Sequence, residues 1–289
     1  MSVRRSDRLI DMTRYFLERP HTLVTLRFFA ERYDSAKSSI SEDMAIIKRT
    51  FSNRGTGILE TIPGAAGGAL FIPTIQKNEA KTIIDDLIQQ LSTADRILPG
   101  GYLYMSDLLS DPVVLKKVGR LIANEYAQKK VDAIMTVETK GIPIAQSVAD
   151  YLGVPFIIVR HDSKITEGST ISVNYVSGSS AQIKKMELSK RSLKAGTRVL
   201  VVDDYMKGGG TLKGMQALIT EFEAELIGTT VFAQGNFNGQ RMIDDVTSLL
   251  NVDASRAEIQ IQPGNYLAKV FDLIKRIFIK KARRNSNEW

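Results

Sequence analysis

The 289-residue sequence contains no cysteine, which excludes both a disulfide framework and a thiolate metal site. It has only two histidines, His21 and His161, too few for a His-rich metal centre. No apolar run approaches the roughly 20 residues that a bilayer-spanning helix needs. The N-terminus, MSVRRSDRLIDM, is charged and lacks the apolar core of a signal peptide. We expect a cytoplasmic protein with no membrane partner. Internal repeats and long low-complexity segments are also missing. What is present is ordinary globular material, 43% hydrophobic and 25% charged, in a length that suits two domains. The balance is basic, with 39 Lys and Arg against 32 Asp and Glu. A net charge of +7 favours a polyanionic partner, nucleic acid or a phosphorylated ligand, without choosing between them. The closing run KKARRNSNEW reads as a solvated end, with a helper patch for DNA or another anion as the second reading.

The pattern changes near residue 74, which divides the chain into a first domain, 1–74, and a second, 75–289. In the first, Leu9, Met12 and Phe16 recur at helical spacing after Ser6, a candidate cap. Thr25 can cap a short second helix carrying Leu26, Phe29 and Ala30. Ile40, Met44, Ile47 and Phe51 form one apolar stripe on a third helix, with Ser39 and Glu42 at capping-box spacing. Two strand-like runs follow, at 57–62 and 69–73, flanking a tip at Gly64–Gly68. Three helices and a β-hairpin make a winged helix-turn-helix. The third helix would place Lys37, Ser38, Ser39, Ser41, Lys48 and Arg49 toward a major groove of double-stranded operator DNA. Arg4 and Arg5 could grip the backbone or a neighbouring minor groove. The wing tip has no bulky side chain to hold its backbone away from DNA. Residues 1–74 hold eleven basic against eight acidic side chains, modest support for that reading. Pattern alone also admits a three-helix interaction domain with a solvated polar face.

In the second domain apolar strands alternate with helical stretches, the mark of an α/β fold with a parallel sheet. A helical stretch around 80–91 links the two halves. The informative run is VVDDYMKGGGT, 201–211. A buried strand ends in two acids, Asp203 and Asp204, where open α/β sheets bind ligands. Lys207 follows, then Gly208, Gly209 and Gly210, whose amides can wrap a phosphate at a helix N-terminus, with Thr211 as cap or hydroxyl donor. The order matches neither a Walker loop nor a dinucleotide fingerprint. The acids suit ribose hydroxyls and can hold Mg²⁺. Upstream, a strand at 131–137 leads into Glu138, Thr139, Lys140 and Gly141 and then a helix over about 142–151. The stretch 155–160 is a further strand, and 161–192 is rich in Ser, Thr and Gly, as befits a loop. Tyr102 and Tyr205 are candidates for stacking on a purine, with a packed aromatic as the plainer reading of each.

The 201–211 run resembles the binding motif for phosphoribosyl pyrophosphate (PRPP) of type I phosphoribosyltransferases. That resemblance implies a pyrophosphate-binding role for the Thr139–Gly141 loop and a ligand-covering role for 161–192. Two positions depart from it. Lys207 stands where hypoxanthine-guanine enzymes carry a catalytic acid, and Gly208 where the phosphate loop usually has Thr. Those departures fit retained binding with little or no catalysis, although other enzymes of the group also lack the acid. The whole chain resembles the purine operon regulators of Gram-positive bacteria, carried by 6–20, 31–48, 63–73, 97–109, 137–143 and 165–180 besides 201–211. This second resemblance implies a homodimer acting on operators of purine genes, as repressor or activator. It implies PRPP as effector, with purine nucleotides or guanine alarmones as competitors. The rival reading is an active purine phosphoribosyltransferase with an accessory N-terminal domain.

Overall fold

The computed structural model describes residues 3–64, 67–98, 102–162, 165–177, 182–253 and 260–272. The chain opens with α1 (Arg5–Leu17), a short strand β1 (Val24–Thr25), α2 (Leu26–Tyr33) and α3 (Lys37–Arg54). The hairpin of β2 (Gly57–Ile62) and β3 (Gly68–Pro73) completes a winged helix-turn-helix, with β1 added as a third strand beside β3. Met12, Phe16, Phe29, Ile40, Ile47, Phe51 and Leu59 are buried at its centre. Each such side chain contributes on the order of 2 kcal/mol relative to exposure. Thr25 caps α2, its Oγ1 accepting from the Phe28 N–H at 3.2 Å, as its position predicts. Two other expected caps do not form. The first helix begins at Arg5 with Arg4 as its cap, and Ser6 turns its hydroxyl to Asp7. The third begins at Lys37, two residues ahead of Ser39, with Ala36 at the cap position and no side-chain bond there. Extending the helix backward lets Lys37 and Ser38 join its exposed face.

A linking helix, α4 (Lys77–Leu91), leads through a small pair of strands, β4 (Ile97–Leu98) and β5 (Tyr102–Leu103), to α5 (Pro112–Tyr126). The α/β body then runs β6 (Ala133–Val137), α6 (Gly141–Leu152) and β7 (Phe156–Val159). A separate hairpin of β8 (Thr170–Val176) and β9 (Ile183–Ser189) comes next. It is followed by β10 (Arg198–Met206), α7 (Gly210–Glu221), β11 (Glu225–Gly235), β12 (Thr247–Asp253) and β13 (Gln260–Pro263). The main sheet has the order β13-β12-β11-β10-β6-β7, parallel throughout except for β13. Both faces are covered: α5 and α6 bury against Leu200 and Val202 on one, α7 against Val199 and Val201 on the other. That is why β10 reads as an unbroken apolar run rather than an alternating one.

The segment read as a loop between 161 and 192 contains the β8–β9 hairpin, paired from Thr170↔Ser189 to Val176↔Ile183. Alternating apolar residues, Ile171, Val173 and Tyr175, outweighed its Ser and Gly content. Among the described residues, no helix is long and apolar enough to cross a membrane.

Candidate effector and DNA-binding sites

The strand order reverses between β10 and β6. From β6 the chain goes through α6 to β7 on one side; from β10 it goes through α7 to β11 on the other. A crevice at such a switch point, outside the carboxyl ends of the strands, is where open α/β sheets bind ligands. Two helix N-termini converge there, α6 behind Thr139, Lys140 and Gly141 and α7 behind Lys207, Gly208 and Gly209. Gly209 sits at φ +82°, a conformation that side chains with a Cβ rarely adopt, and so turns the chain from strand into helix. The strand itself continues through the acid pair to Met206, further than its apolar residues alone imply.

Asp203 is 3% exposed at the floor of this crevice, its Oδ1 accepting from the Asp204 N–H at 3.0 Å. Burial, and then the charge of Asp204, push its carboxyl well above the usual range. Burial also raises Asp204, while its contact with Asp203 and the charge of Lys140 work the other way. A desolvated carboxylate pair beneath two helix N-termini can accept hydrogen bonds from hydroxyls or hold a cation. Among the described residues no three carboxylate or imidazole groups gather as a metal cage. Two carboxylates suit Mg²⁺ that keeps the remaining positions for ligand phosphates.

Two residues of the crevice, Thr136 and Tyr175, escaped sequence reasoning. Thr136 is fully buried with its Oγ1 unpartnered. A Cβ on Gly141 would lie 2.9 Å from Asp203 Oδ1 and closer still to Thr136 Oγ1, so only glycine lets the 139–141 backbone sit against the acid. Tyr175, on β8, is buried against α7, its Cβ 3.1 Å from where a Cβ on Gly214 would lie, which brings the hairpin up to the helix that follows the glycine loop. No signal in the sequence marks a long-range partner of this kind. Thr211 itself lies within the first turn of α7, and Gly209 takes the cap position expected of it. Tyr205 packs partly buried against the larger core, with its hydroxyl over Gly235 at the end of β11. The backbone of Tyr102 is in β5; its side chain lies outside what is described, as do residues 178–181.

In the winged domain Lys37, Ser38, Ser41, Lys48 and Arg49 are all exposed on α3, and Ser39 is half-buried. The tip glycines Gly64, Gly67 and Gly68 close the hairpin; Ala65 and Ala66 are outside the described residues. Arg4 is exposed at the start of α1. Arg5 has work beyond any DNA contact: its Nε donates to Asp43 Oδ1 at 2.9 Å and its Nη2 to Glu42 at 3.4 Å. Asp43 is fully buried on the inner side of α3 and also accepts from Arg8 Nε at 2.6 Å. A buried carboxylate needs such neutralisation, so the recognition helix is strapped to α1 by two arginines.

Residues 4–73 match the bacterial purine repressor N-terminal family, and residues 105–266 the phosphoribosyl transferase domain family. The purine biosynthesis transcriptional repressor PurR of Bacillus subtilis is 51% identical over 270 residues, 92% of this chain and 95% of the relative. This chain belongs to the family of purine biosynthesis transcriptional regulators. Another member, the purine biosynthesis transcriptional activator PurR of Lactococcus lactis, is 49% identical over 266 residues, 91% of this chain and 98% of that one. The family thus holds proteins of both signs. Among solved structures, adenine phosphoribosyltransferase from Thermoanaerobacter pseudethanolicus aligns with a TM-score of 0.50 at 21% identity. It covers 58% of this chain and 99% of that one, which establishes the fold of the regulator's second domain.

Proposed function

We propose that this regulator binds operators of purine genes through α3 and the wing, in the cytoplasm and as a homodimer, and that PRPP is the effector that alters this binding. The observation that carries the effector reading is the buried Asp203–Asp204 pair beneath two helix N-termini at the switch point. Asp203 and Asp204 would take the ribose hydroxyls. The amides of Gly208, Gly209 and Gly210, with Thr211, would take the 5′-phosphate, and Thr139, Lys140 and Gly141 the diphosphate. Mg²⁺ arriving with the ligand would neutralise phosphate charge near the acid pair. Lys207 adds a cation at the rim, and purine nucleotides or guanine alarmones would compete for the same phosphate loops. Tyr205 and Tyr102 are the candidates for contact with a purine ring.

The domain acts as a sensor without significant catalysis. Lys207 in place of an acid, and Gly208 in place of the phosphate-loop Thr, support that reading. The occupied and free forms differ in operator affinity only to the extent that PRPP prefers one of them. Titration calorimetry with PRPP and Mg²⁺ tests the site: saturable binding that Asp203→Ala abolishes supports it, and undiminished binding by that variant refutes it. Nucleotide formation from PRPP and a purine base, at rates typical of an enzyme, would overturn the non-catalytic part.

A further inference from the structure

The winged domain meets the α/β body at a junction with few polar contacts, and one side chain dominates them. Arg120, on α5, sends Nη2 to the Gly55 carbonyl at 2.6 Å and to the Thr74 carbonyl at 2.7 Å. Its Nε reaches the same Thr74 carbonyl at 3.0 Å, and Nη1 pairs with Glu79 of α4 at 2.6 Å. Gly55 is the left-handed cap that ends α3. The guanidinium therefore holds the C-terminal end of the recognition helix, and its side chain is only 20% exposed. Four residues on, Asn124 Oδ1 accepts from the Ile75 N–H at 3.1 Å and so ties down the chain just where it leaves the winged domain. A cavity of about 390 Å³ remains beside Arg120, between Leu17, Pro20 and Arg54 of the winged domain and Lys116, Asp150 and Tyr151 of the body. The junction is thus held at points rather than packed solid.

The other end of this seam leads to the effector crevice. Gly141 starts α6 hard against Asp203 and Thr136. Midway along α6, Ser147 donates to the Leu115 carbonyl of α5 at 2.8 Å. A Cβ on Gly119 would lie 2.7 Å from Ser147 Cβ, so the two helices touch at the residue just before Arg120. At its far end α6 closes on Gly153, where a Cβ would lie 2.8 Å from the Pro20 carbonyl in the winged domain. One helix, about 18 Å long, spans from the pyrophosphate loop to the turn after α1. Its neighbour α5 carries the arginine that grips α3.

We propose that Arg120 is a positioning residue that fixes the winged domain on the α/β body, and that α6 and α5 pass the state of the pyrophosphate loop to the recognition helix through it. The second half rests on the effector reading above; the first does not. Contiguity becomes coupling only if the junction has two arrangements that both ends bias. Arg120 is suited to choose between them, because a guanidinium can fork to two carbonyls only while both stay in place.

The absence of cysteine makes the test clean. Spin labels on Ser52→Cys, in α3, and Gln146→Cys, in α6, report the interdomain distance in the full-length protein. The wild-type background should give one narrow distribution, and Arg120→Met a broad one. Coincident distributions overturn the proposal whatever PRPP does. For coupling, PRPP should change wild-type operator affinity by about 10-fold and that of Arg120→Met by less than about 2-fold. PRPP affinity itself should be equal in both proteins. An unchanged response in the variant, or a loss explained by weaker PRPP binding, overturns the coupling. A wild-type protein that ignores PRPP overturns the coupling together with the effector reading, while the distance measurement still judges the latch. Arg120→Lys, which keeps the charge but cannot fork to both carbonyls, should shift both readouts in the same direction by less; if Arg120→Met does not fold, wild-type behaviour of Arg120→Lys refutes the latch.

Discussion

Asp203→Asn should make the ligand-free regulator more stable and its effector binding weaker. Asp203 is 3% exposed, and its Oδ1 accepts the Asp204 N–H at 3.0 Å. Burial and the neighbouring Asp204 both work against its charge. The asparagine amide has the same outline, and its carbonyl accepts the same hydrogen bond. The substitution therefore removes a desolvated charge and one carboxylate–carboxylate repulsion at little cost in packing. A gain of about 1 kcal/mol is the size usual for relieving a functional site of this kind. That gain raises the melting temperature by about 3 °C in a protein of this size. The ligand loses a hydrogen bond to a charged acceptor, about 2 kcal/mol, or roughly thirtyfold in affinity. Calorimetric melts of both proteins, with and without PRPP and Mg²⁺, measure the two effects in one experiment. Without ligand the variant should melt higher, and with saturating ligand the order should reverse. A variant that melts below wild type without ligand would refute the reasoning, because the carboxylate would then be serving the fold.

Asp43→Ala should destabilise the winged domain by about 3 kcal/mol, since it leaves Arg8 buried without its carboxylate. Chemical denaturation measures the loss, and Arg8→Met on top of it should restore part of it; a cost below about 0.5 kcal/mol is what a surface pair would show instead. Gly141→Ala should cost at least about tenfold in PRPP affinity, because its Cβ would press Asp203 and Thr136 apart. Titration calorimetry measures the loss, and normal PRPP affinity would show that the loop has room to spare. The Arg198 guanidinium, aided by its backbone N–H, holds the Asp132 carboxyl down at about 2. Because this lies below the unfolded value, the contribution to stability is present above about pH 4 and is lost as pH falls toward 2. An NMR titration should find the midpoint near 2, and a midpoint near 4 would show that the pair does not persist in solution.

The division into a winged module and a phosphoribosyltransferase-like body was legible because its signals are local. The stripe Ile40, Met44, Ile47 and Phe51 fixes the inner face of α3. A run of β-formers ending in Asp203 and Asp204 marks a strand terminus, and the glycines after it mark a turn into a helix. Local competition explains the misplaced caps: Ser6 and Ser39 are good caps, but helices α1 and α3 each gain length by starting earlier. The Ser and Gly content around 161–192 concealed a hairpin whose stability comes from cross-strand pairs and from Tyr175 and Met186 packing on α7. Asp43, Thr136 and Arg120 were illegible for a deeper reason. Each takes its meaning from a partner brought close only by the fold: Arg8, Gly141 and Gly55 respectively. A lone buried acid or a single helical arginine carries no mark of that in sequence.

The most direct test of a PRPP-sensing regulator is the binding of purified protein to DNA from upstream of its own purine operon, titrated with PRPP and Mg²⁺ at fixed salt. Sequence-specific binding that PRPP changes, with Asp203→Ala bound to the operator but unresponsive, is the predicted result. Specific binding that PRPP leaves untouched at every concentration, in wild type and variant alike, would contradict the account.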